Sequence, residues 1–565
     1  MTRLLLSVIV AALGIAWYLI LPPAAIAVQS VAAITPPVRG VIHVHTRRSD
    51  GTGTPESVAA EAARAGLRFV VFTDHGDATR PPDPPVYRSG VLCIDAVEIS
   101  TESGHLVALG LPRAPYPLGG ESRDVIEDVH RLGGLAIAAH PASARPSLQW
   151  GDWTAPIDGL EWLNGDSEWR DESLWSLARV LLTYPGRRAE TLATLMDRPD
   201  ALIQTWDRLT LHRPTIALAG SDAHARIGLR QVGEPYDNGA SLPLPSYESV
   251  FRTFSVGVTD VSLDGGAEHD ATAILHAIRL GHVFSEVDGL AGPGALSFSA
   301  SSGAHRASMG ESLDLDRPAT LHVAVQAPPH AELVLLQDGI PIATVDAAQG
   351  LSHEATSDRA VYRVEVRVPG APGQPPVPWL LSNPIYAGSA GSLSAPSDGR
   401  RAPTQFDIQY DNGSTDGWTV ETGAQSRGAL DRLPIVGGSE LGFRFGLGGA
   451  MSESPYAALA LRARPEIASF DRLMFTARAS RPMRVSVQLR SQDGTPADRW
   501  QRSVYLDKTP RQFTLYFDDM TPRGATSMRL PVLNRIGSVL FVIDTLNADT
   551  GSNGQFTIDD VKFAR

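Results

Sequence analysis

The chain has 565 residues, 43% of them hydrophobic and 20% charged, with a net charge of −13. That length exceeds what one core sustains, so several domains are expected, and the apolar–charged balance excludes a disordered chain. The acidic charge and the lack of any Lys/Arg-rich run exclude nucleic acid as the natural partner, while a small phosphorylated molecule stays open because metal ions can supply positive charge locally.

Arg3 precedes an uncharged stretch from Leu4 to Leu21, followed by Pro22, Pro23 and the small-residue run Ala25-Ile26-Ala27. A signal peptide cleaved at the A-x-A site and a retained membrane anchor both fit this pattern. Either way the bulk of the protein is expected outside the cytoplasm, whether periplasmic, extracellular or membrane-anchored. A proline and small-residue linker over 28–38 follows.

From Gly40 to about 292, short apolar runs alternate with helical patterns. GVIHVH reads as a strand. Thr54 is an N-cap, Pro55 the first helical residue and Glu56 an acid in the first turn, and Gly66 suits the position after the helix. LRFVVFTDHG is the next strand. DVIEDVHRLGG, DALIQTWDRLTLHR and DATAILHAIRLG read as helices before LAIAAHP, PTIALAGSDAH and HVFSEV. Strands alternating with helices predict an α/β sheet or barrel. Cys93, the single cysteine, can form neither an internal disulfide nor a Cys-based zinc site, and within VLCIDAVEIS it reads as a small core residue. After about 292 the pattern changes to alternating strands with Gly/Pro turns, which predicts a small β-sandwich over 293–388. A Gly/Ser/Pro linker over 389–404 and a second all-β block over 405–565 complete the chain.

Six histidines and three acids fall at the ends of apolar runs in the first of these regions: His43, His45, Asp50, His75, Glu98, His105, His140, Asp222 and His224. Residues i and i+2 of a strand share a face, so His43 and His45 are expected to converge while Ile42 and Val44 point away. In parallel α/β folds the carboxyl ends of the strands gather at one face, which would bring five chain segments around one pocket. Imidazole with carboxylate suits zinc, manganese or iron. Nine such groups would serve two or three ions, with Glu98 as the bridge. The ions would acidify a bound water into a nucleophile and neutralise charge on substrate oxygens. Asp74 is expected to orient a ligand rather than act as one. Arg47 and Arg48, between His45 and Asp50, could clamp a phosphate oxygen, as could Arg226 and Arg230 after His224. The tryptophans Trp153, Trp162, Trp169 and Trp175 either line a substrate pocket or pack helices. No G-x-S-x-G, P-loop or G-x-G-x-x-G after a strand is present.

HVHTRRSDG, TDHG, the Glu98 strand, GHLVALG, AAHP and SDAH follow the order of motifs in the polymerase and histidinol phosphatase (PHP) domain. GHLVALG and the later SNPIYAG resemble its CehA/McbA-type metallohydrolase branch. The resemblance covers roughly residues 40–290, with the sandwich to 388 as its extension. It implies a distorted (β/α)7 barrel with a dinuclear or trinuclear centre: His43, His45, Glu98 and Asp222 on one ion, Glu98, His105 and His140 on a second, Asp50, His75 and His224 on a third. The chain departs from the pattern at Val41, where the family carries an acid. The resemblance implies a phosphoesterase, with a carbamate or amide hydrolase as the alternative and a non-catalytic glycan-binding surface protein as the other. In that reading Asp50, His75, Glu98, His224 and Arg47 serve catalysis, and Arg47, Arg48, Arg226 and Trp162 bind substrate.

The 293–388 sandwich reads as immunoglobulin-like. The last block resembles the galactose-binding-type sandwiches used as carbohydrate-binding modules, on FDIQYDNGSTDGWTVE and IDDVKF. There Trp418, Tyr456 and Trp500 either stack on a sugar or, as such residues more often do, pack the core, and Asp559 and Asp560 could offer a structural calcium site.

Overall fold

The Val38–Val44 strand is the hub of a closed barrel. Its apolar residues are buried on both faces, as a strand paired on both edges requires. It pairs in parallel with Phe69–Phe72 on one side and Ile216–Ala223 on the other. A bridge from His75 to Glu98 carries the ring on to Val97–Thr101, then antiparallel to Gly104–Leu109, antiparallel again to Leu135–Ala138, and parallel to Gly159–Asn164. Gly159–Asn164 pairs in parallel with Ile216–Ala223 and closes the circle. This is a computed structural model that describes residues 2–28, 34–170, 172–228, 241–314, 318–355, 359–388, 400, 402–449, 454–494 and 497–565.

Eight helices accompany these strands among the described residues: α1 Thr2–Ile20, α2 Pro55–Arg64, α3 Ser122–Arg131, α4 Leu174–Thr183, α5 Arg188–Ala193, α6 Asp200–Thr210, α7 Tyr247–Phe251 and α8 Ala267–Leu280. The Thr54 side chain accepts from Ser57 N at 3.2 Å, which caps α2. Gly281, left-handed at φ 77°, ends α8. Cys93 is buried in the Val91–Asp95 strand.

Strand residues outnumber helical ones, 41% to 19%, and several sheets stack as sandwiches. The sheet that forms the barrel does not stop near residue 292. Val283–Glu286 pairs with Leu380–Ser382, and through it the Glu332–Gln337, Ile340–Asp346, Ala360–Arg367 and Ile385–Ala387 strands join the same sheet. A four-stranded sheet lies over these strands, around a core that includes Phe298, Leu321, Tyr362 and Trp379. Asn383 explains the continuity. Its amide accepts from Ala217 N at 2.7 Å and donates to Val283 O at 2.7 Å, so it is bonded to two barrel strands. The chain accordingly forms two compact units, the first with residues 1–112 and 121–395, the second with 113–120 and 396–565. The expected division at 292 is not a division between compact units.

The second unit contains two six-stranded sheets. Along Met483–Gly494, Val485, Val487 and Leu489 enter the core while Arg484, Ser486 and Gln488 take the other face. Trp418 and Trp500 are 6% and 1% exposed within this core, so they are packing residues and not sugar platforms. Tyr456 is half-buried against Ala458, Ala460, Leu540 and Val542. The Asp560 carboxylate takes two bonds from Lys562 Nζ, and Asp559 accepts from Asp560 N, so both acids already have partners.

Candidate metal centre

The nine side chains converge at the carboxyl end of the barrel strands. Glu98, 1% exposed, stands in the middle. Its Oε2 lies 3.2 Å from His43 Nε2, 3.1 Å from His45 Nε2 and 3.2 Å from His75 Nδ1. Its Oε1 lies 2.7 Å from His105 Nδ1 and 2.9 Å from His140 Nε2. Asp222 Oδ1 is 3.3 Å from His43 Nε2 and 3.2 Å from His45 Nε2. Asp50 Oδ1 is 3.3 Å from His45 Nδ1, and Asp50 Oδ2 is 3.1 Å from His224 Nε2. The donor atoms fall into four overlapping groups: His43, His45 and Asp222; His43, Glu98 and His140; His75, Glu98 and His105; and His45, Asp50, His75 and His224.

The convergence of His43 and His45 differs in mechanism from a straight pleat. His43 has φ 66°, and the register slips between Val41 and Val44 and again between Gly220 and Ala223. His140 and Asp222 are also left-handed, at φ 31° and 46°. Each such residue costs on the order of 1–3 kcal/mol, and strain of this kind persists where surrounding structure enforces it. The bulges re-aim side chains that strict alternation would send apart.

Outer partners fix the imidazoles. His43 Nδ1 donates to Glu161 Oε1 at 2.6 Å, His140 Nδ1 to Leu148 O at 3.1 Å, and His224 Nδ1 to Asp222 O at 2.8 Å. These acceptors hold the proton on Nδ1, so Nε2 presents a lone pair to the centre. Asp74 accepts from Thr46 N, Thr46 Oγ1 and Ser49 Oγ, each at 2.7 Å, and Ser49 Oγ stands 3.3 Å from His45 Nδ1. Asp74 thus orders the loop beside the ligands.

The cluster fits cations by a direct criterion. His43 Nε2, His45 Nε2, Asp50 Oδ1 and Glu98 Oε2 are buried and make no hydrogen bond. Acceptor faces acceptor, and only a proton or a metal ion relieves that. Without ions the protons respond strongly. Burial alone would lower His45, but the carboxylates of Asp222 and Glu98 beside it push it up to about 10. Burial likewise opposes protonation of His43, but the charges of Glu161, Asp222 and Glu98 raise it well above the ordinary imidazole range. Burial would raise the Glu98 carboxyl, yet the surrounding histidines, His75 and His43 foremost, hold it far below its usual value.

Glu161 is the residue that sequence reasoning missed. It is 2% exposed, takes the His43 proton, and accepts from His140 N and Asn164 Nδ2, both at 2.8 Å. Its signal was a lone carboxylate inside the apolar strand GLEWLN. Gly220 makes room for it, since a Cβ there would stand 2.0 Å from Glu161 Oε1. Trp162, the next residue, faces away from the centre, is 1% exposed and donates to Ser285 Oγ at 3.0 Å, so it is a core residue and not a substrate contact. Arg47 is exposed and its guanidinium donates to Thr52 O, which ties up its own loop. Arg48 pairs with Asp83 and Asp95. Arg226 lies two residues beyond His224 and is half-buried, while Arg230 lies outside the described residues. Trp153 and Trp169 are half-buried and Trp175 is exposed, so the tryptophans do not share one pocket.

No family profile matches the chain. An uncharacterized protein of Methanocaldococcus jannaschii is 29% identical over 115 residues, which cover 18% of this chain and 67% of that protein. Among solved structures, a family 11 carbohydrate-binding module of a cellulosomal cellulase of Clostridium thermocellum aligns at 15% identity, over 29% of this chain and 95% of its own, with a TM-score of 0.25. A family 30 carbohydrate-binding module aligns at 9% identity over 28% of this chain and 98% of its own, with a TM-score of 0.22.

Proposed function

We propose that the chain is a metal-dependent hydrolase of the PHP type, acting on phosphate esters outside the cytoplasm. The observation that carries this reading is the ring of buried acceptors around Glu98 that have no hydrogen-bond donor. His43, His45, Asp222 and Glu98 would hold one ion, Glu98, His105 and His140 a second, and Asp50, His75 and His224 a third. Bound divalent ions supply an acidified water and positive charge for the phosphoryl oxygens. The N-terminal location of α1, 18 residues of which have a mean hydropathy of 2.1, supports export or anchoring.

The chain's own residues direct the chemistry. His43, His45, Glu98, His105 and His140 have side chains exposed by 4% or less, whereas His75, Asp50 and His224 reach 13%, 18% and 14%. Substrate therefore approaches from the Asp50 side. A cavity of about 160 Å³ opens beside His75, which lines it with Gly76, Thr79, Arg48 and Arg80. Arg80 pairs with Asp95 at 2.8 Å. A phosphate oxygen would compete with Asp95 and the exposed Asp83 for the two guanidinium groups.

Metal analysis of the purified protein, combined with turnover of p-nitrophenyl phosphate, its bis-ester and an aryl carbamate, tests the proposal. Two or three ions per chain and cleavage of a phosphate ester are expected. Preferential carbamate cleavage would reassign the substrate, and metal-free protein inert on all three would end the hydrolase reading.

A further inference from the structure

α4 carries an apolar stripe on its outer face. Leu174, Trp175, Leu181 and Leu182 are 86%, 82%, 55% and 53% exposed, and with exposed Ala178 they form one side of the helix. A soluble surface rarely keeps such a run of large side chains together. The inner side of the same helix is different. Leu177 and Val180 line an apolar cavity of about 180 Å³ with Trp169, Leu195, Met196 and Phe254. Gly165 and Ile227 also border it, just beyond the ends of the Gly159–Asn164 and Ile216–Ala223 strands. The second of those ends carries Asp222 and His224 and the first strand holds Glu161, which bonds His43, so the cavity and the centre share one end of the barrel.

The neighbour of α4 identifies what the stripe meets. The 18-residue apolar stretch of α1 is unburied along its length. Its C-terminal end docks on α4: Trp17 Nε1 donates to Leu182 O at 2.9 Å, Arg187 donates to Pro22 O, and the Arg187 guanidinium lies over the Tyr18 ring. If α1 spans a bilayer, α4 lies beside the end of it that emerges, and the exposed Arg179 and Arg188 would be available to anionic headgroups. An apolar stripe bordered by arginines is how a helix lies in the plane of a membrane surface.

We propose that α4 lies in the membrane interface beside α1, and that the cavity behind it takes an acyl chain, so that the metal centre acts on the phosphate ester of a membrane lipid. The substrate class rests on the phosphoesterase reading above; the placement of α4 does not. The hydrolysis consumes one water, breaks one P–O bond, and leaves an alcohol and a phosphate.

The test uses the full-length protein in proteoliposomes of phosphatidylethanolamine and phosphatidylglycerol. Because Cys93 is buried, nitroxide labels can be placed singly at Trp175→Cys, at Leu182→Cys and, as a control, at the exposed position Gln204→Cys of α6. Accessibility to oxygen relative to a nickel chelate should be several-fold higher at 175 and 182 than at 204. Equal ratios overturn the placement of α4. A phosphatidylglycerol bearing a diazirine on its acyl chain should crosslink to peptides containing Leu177, Val180 or Met196, and the exposed Leu181→Arg change at the cavity should lower that yield several-fold. Crosslinks scattered over other surfaces and indifferent to this change overturn the acyl-chain site. Cleavage of p-nitrophenyl phosphate with no cavity crosslink removes the lipid substrate and leaves the hydrolase. Cavity crosslinks with no phosphoesterase activity remove the hydrolase and leave the lipid site.

Discussion

The two compact units bury opposite chemistry. The first encloses six imidazoles and their carboxylates at one end of its barrel, with Glu98 and His43 almost wholly buried. The second encloses aromatic and aliphatic residues such as Phe443, Phe475, Trp500 and Phe541, and keeps pairs such as Arg490 with Glu421 and Arg523 with Asp544 partly exposed. Burying ionisable groups without partners costs several kcal/mol per group, whereas burying apolar surface stabilises. The interior of the second unit is therefore dominated by stabilising apolar contacts, and the first gives up stability for a site. Changes in each should be read by different measurements.

The largest contrast comes from His43→Ala. It removes a donor shared by two of the ligand groups, and turnover of p-nitrophenyl phosphate should fall by more than the ~10–100-fold that loss of an outer partner costs. Melting of the second unit should not move. Wild-type turnover in this variant would mean that the cluster is not the reacting centre. The reverse experiment is Trp500→Ala, which empties a site in the sandwich core and should destabilise the second unit by roughly 3–5 kcal/mol in a denaturant titration. Metal content should stay at the wild-type value; a loss of metal there would join two properties that the interiors keep apart.

Much of the first unit could be read from the chain because its signals are local. Thr54, Pro55 and Gly66 mark helix ends by capping chemistry, Gly66 standing left-handed at φ 80°, and a histidine or acid closing an apolar run marks the end of a strand. The bulges at His43 and Asp222 could not be read, since a left-handed backbone at a non-glycine residue is imposed by packing and has no propensity signal. The continuity of the barrel sheet into the next strands was equally hidden. It depends on Asn383 meeting Ala217, 166 positions away, and SNPIYAG carried a family resemblance but no sign of which strands it would bond. α4 escaped notice because an apolar stripe facing outward inverts the rule that assigns apolar positions to a core. In the second unit the alternation of strands was plain, but alternation alone does not say which face is inside. That is why the sequence left Trp418 and Trp500 open between core and sugar platform, and the structure places both in the core.

Acid should separate the units further through one buried network. Burial alone would raise the Glu365 carboxyl, but the bond from Arg198 and the charge of Arg363 bring it down from 4.5 to about 2. A carboxyl lowered on folding contributes its full stability above its unfolded value, and that contribution is lost as pH falls from there through about 2. It amounts to about 3 kcal/mol. The first unit should lose stability across that window, and Glu365→Gln should flatten the dependence. A first unit whose melting temperature is level between those pH values would show that the Arg198–Glu365–Arg363 network holds no net charge energy.

The smallest effect tests how finely the centre is held. Glu161 touches no position an ion would take; it acts through His43, whose Nδ1 proton it accepts at 2.6 Å. Glu161→Gln keeps an oxygen there but removes the charge, and Gly220 leaves room for the amide. Metal affinity, measured by competition with a chelator, should fall about tenfold, near the low end of the range for outer partners, and Glu161→Ala should approach about a hundredfold. A role limited to packing would shift the melting temperature of both variants and leave the chelator competition unchanged. An outcome graded by charge, with Gln between wild type and Ala, is what a carboxylate that raises the basicity of His43 produces. It would also explain why the barrel accepts a buried acid inside the apolar strand Gly159–Asn164.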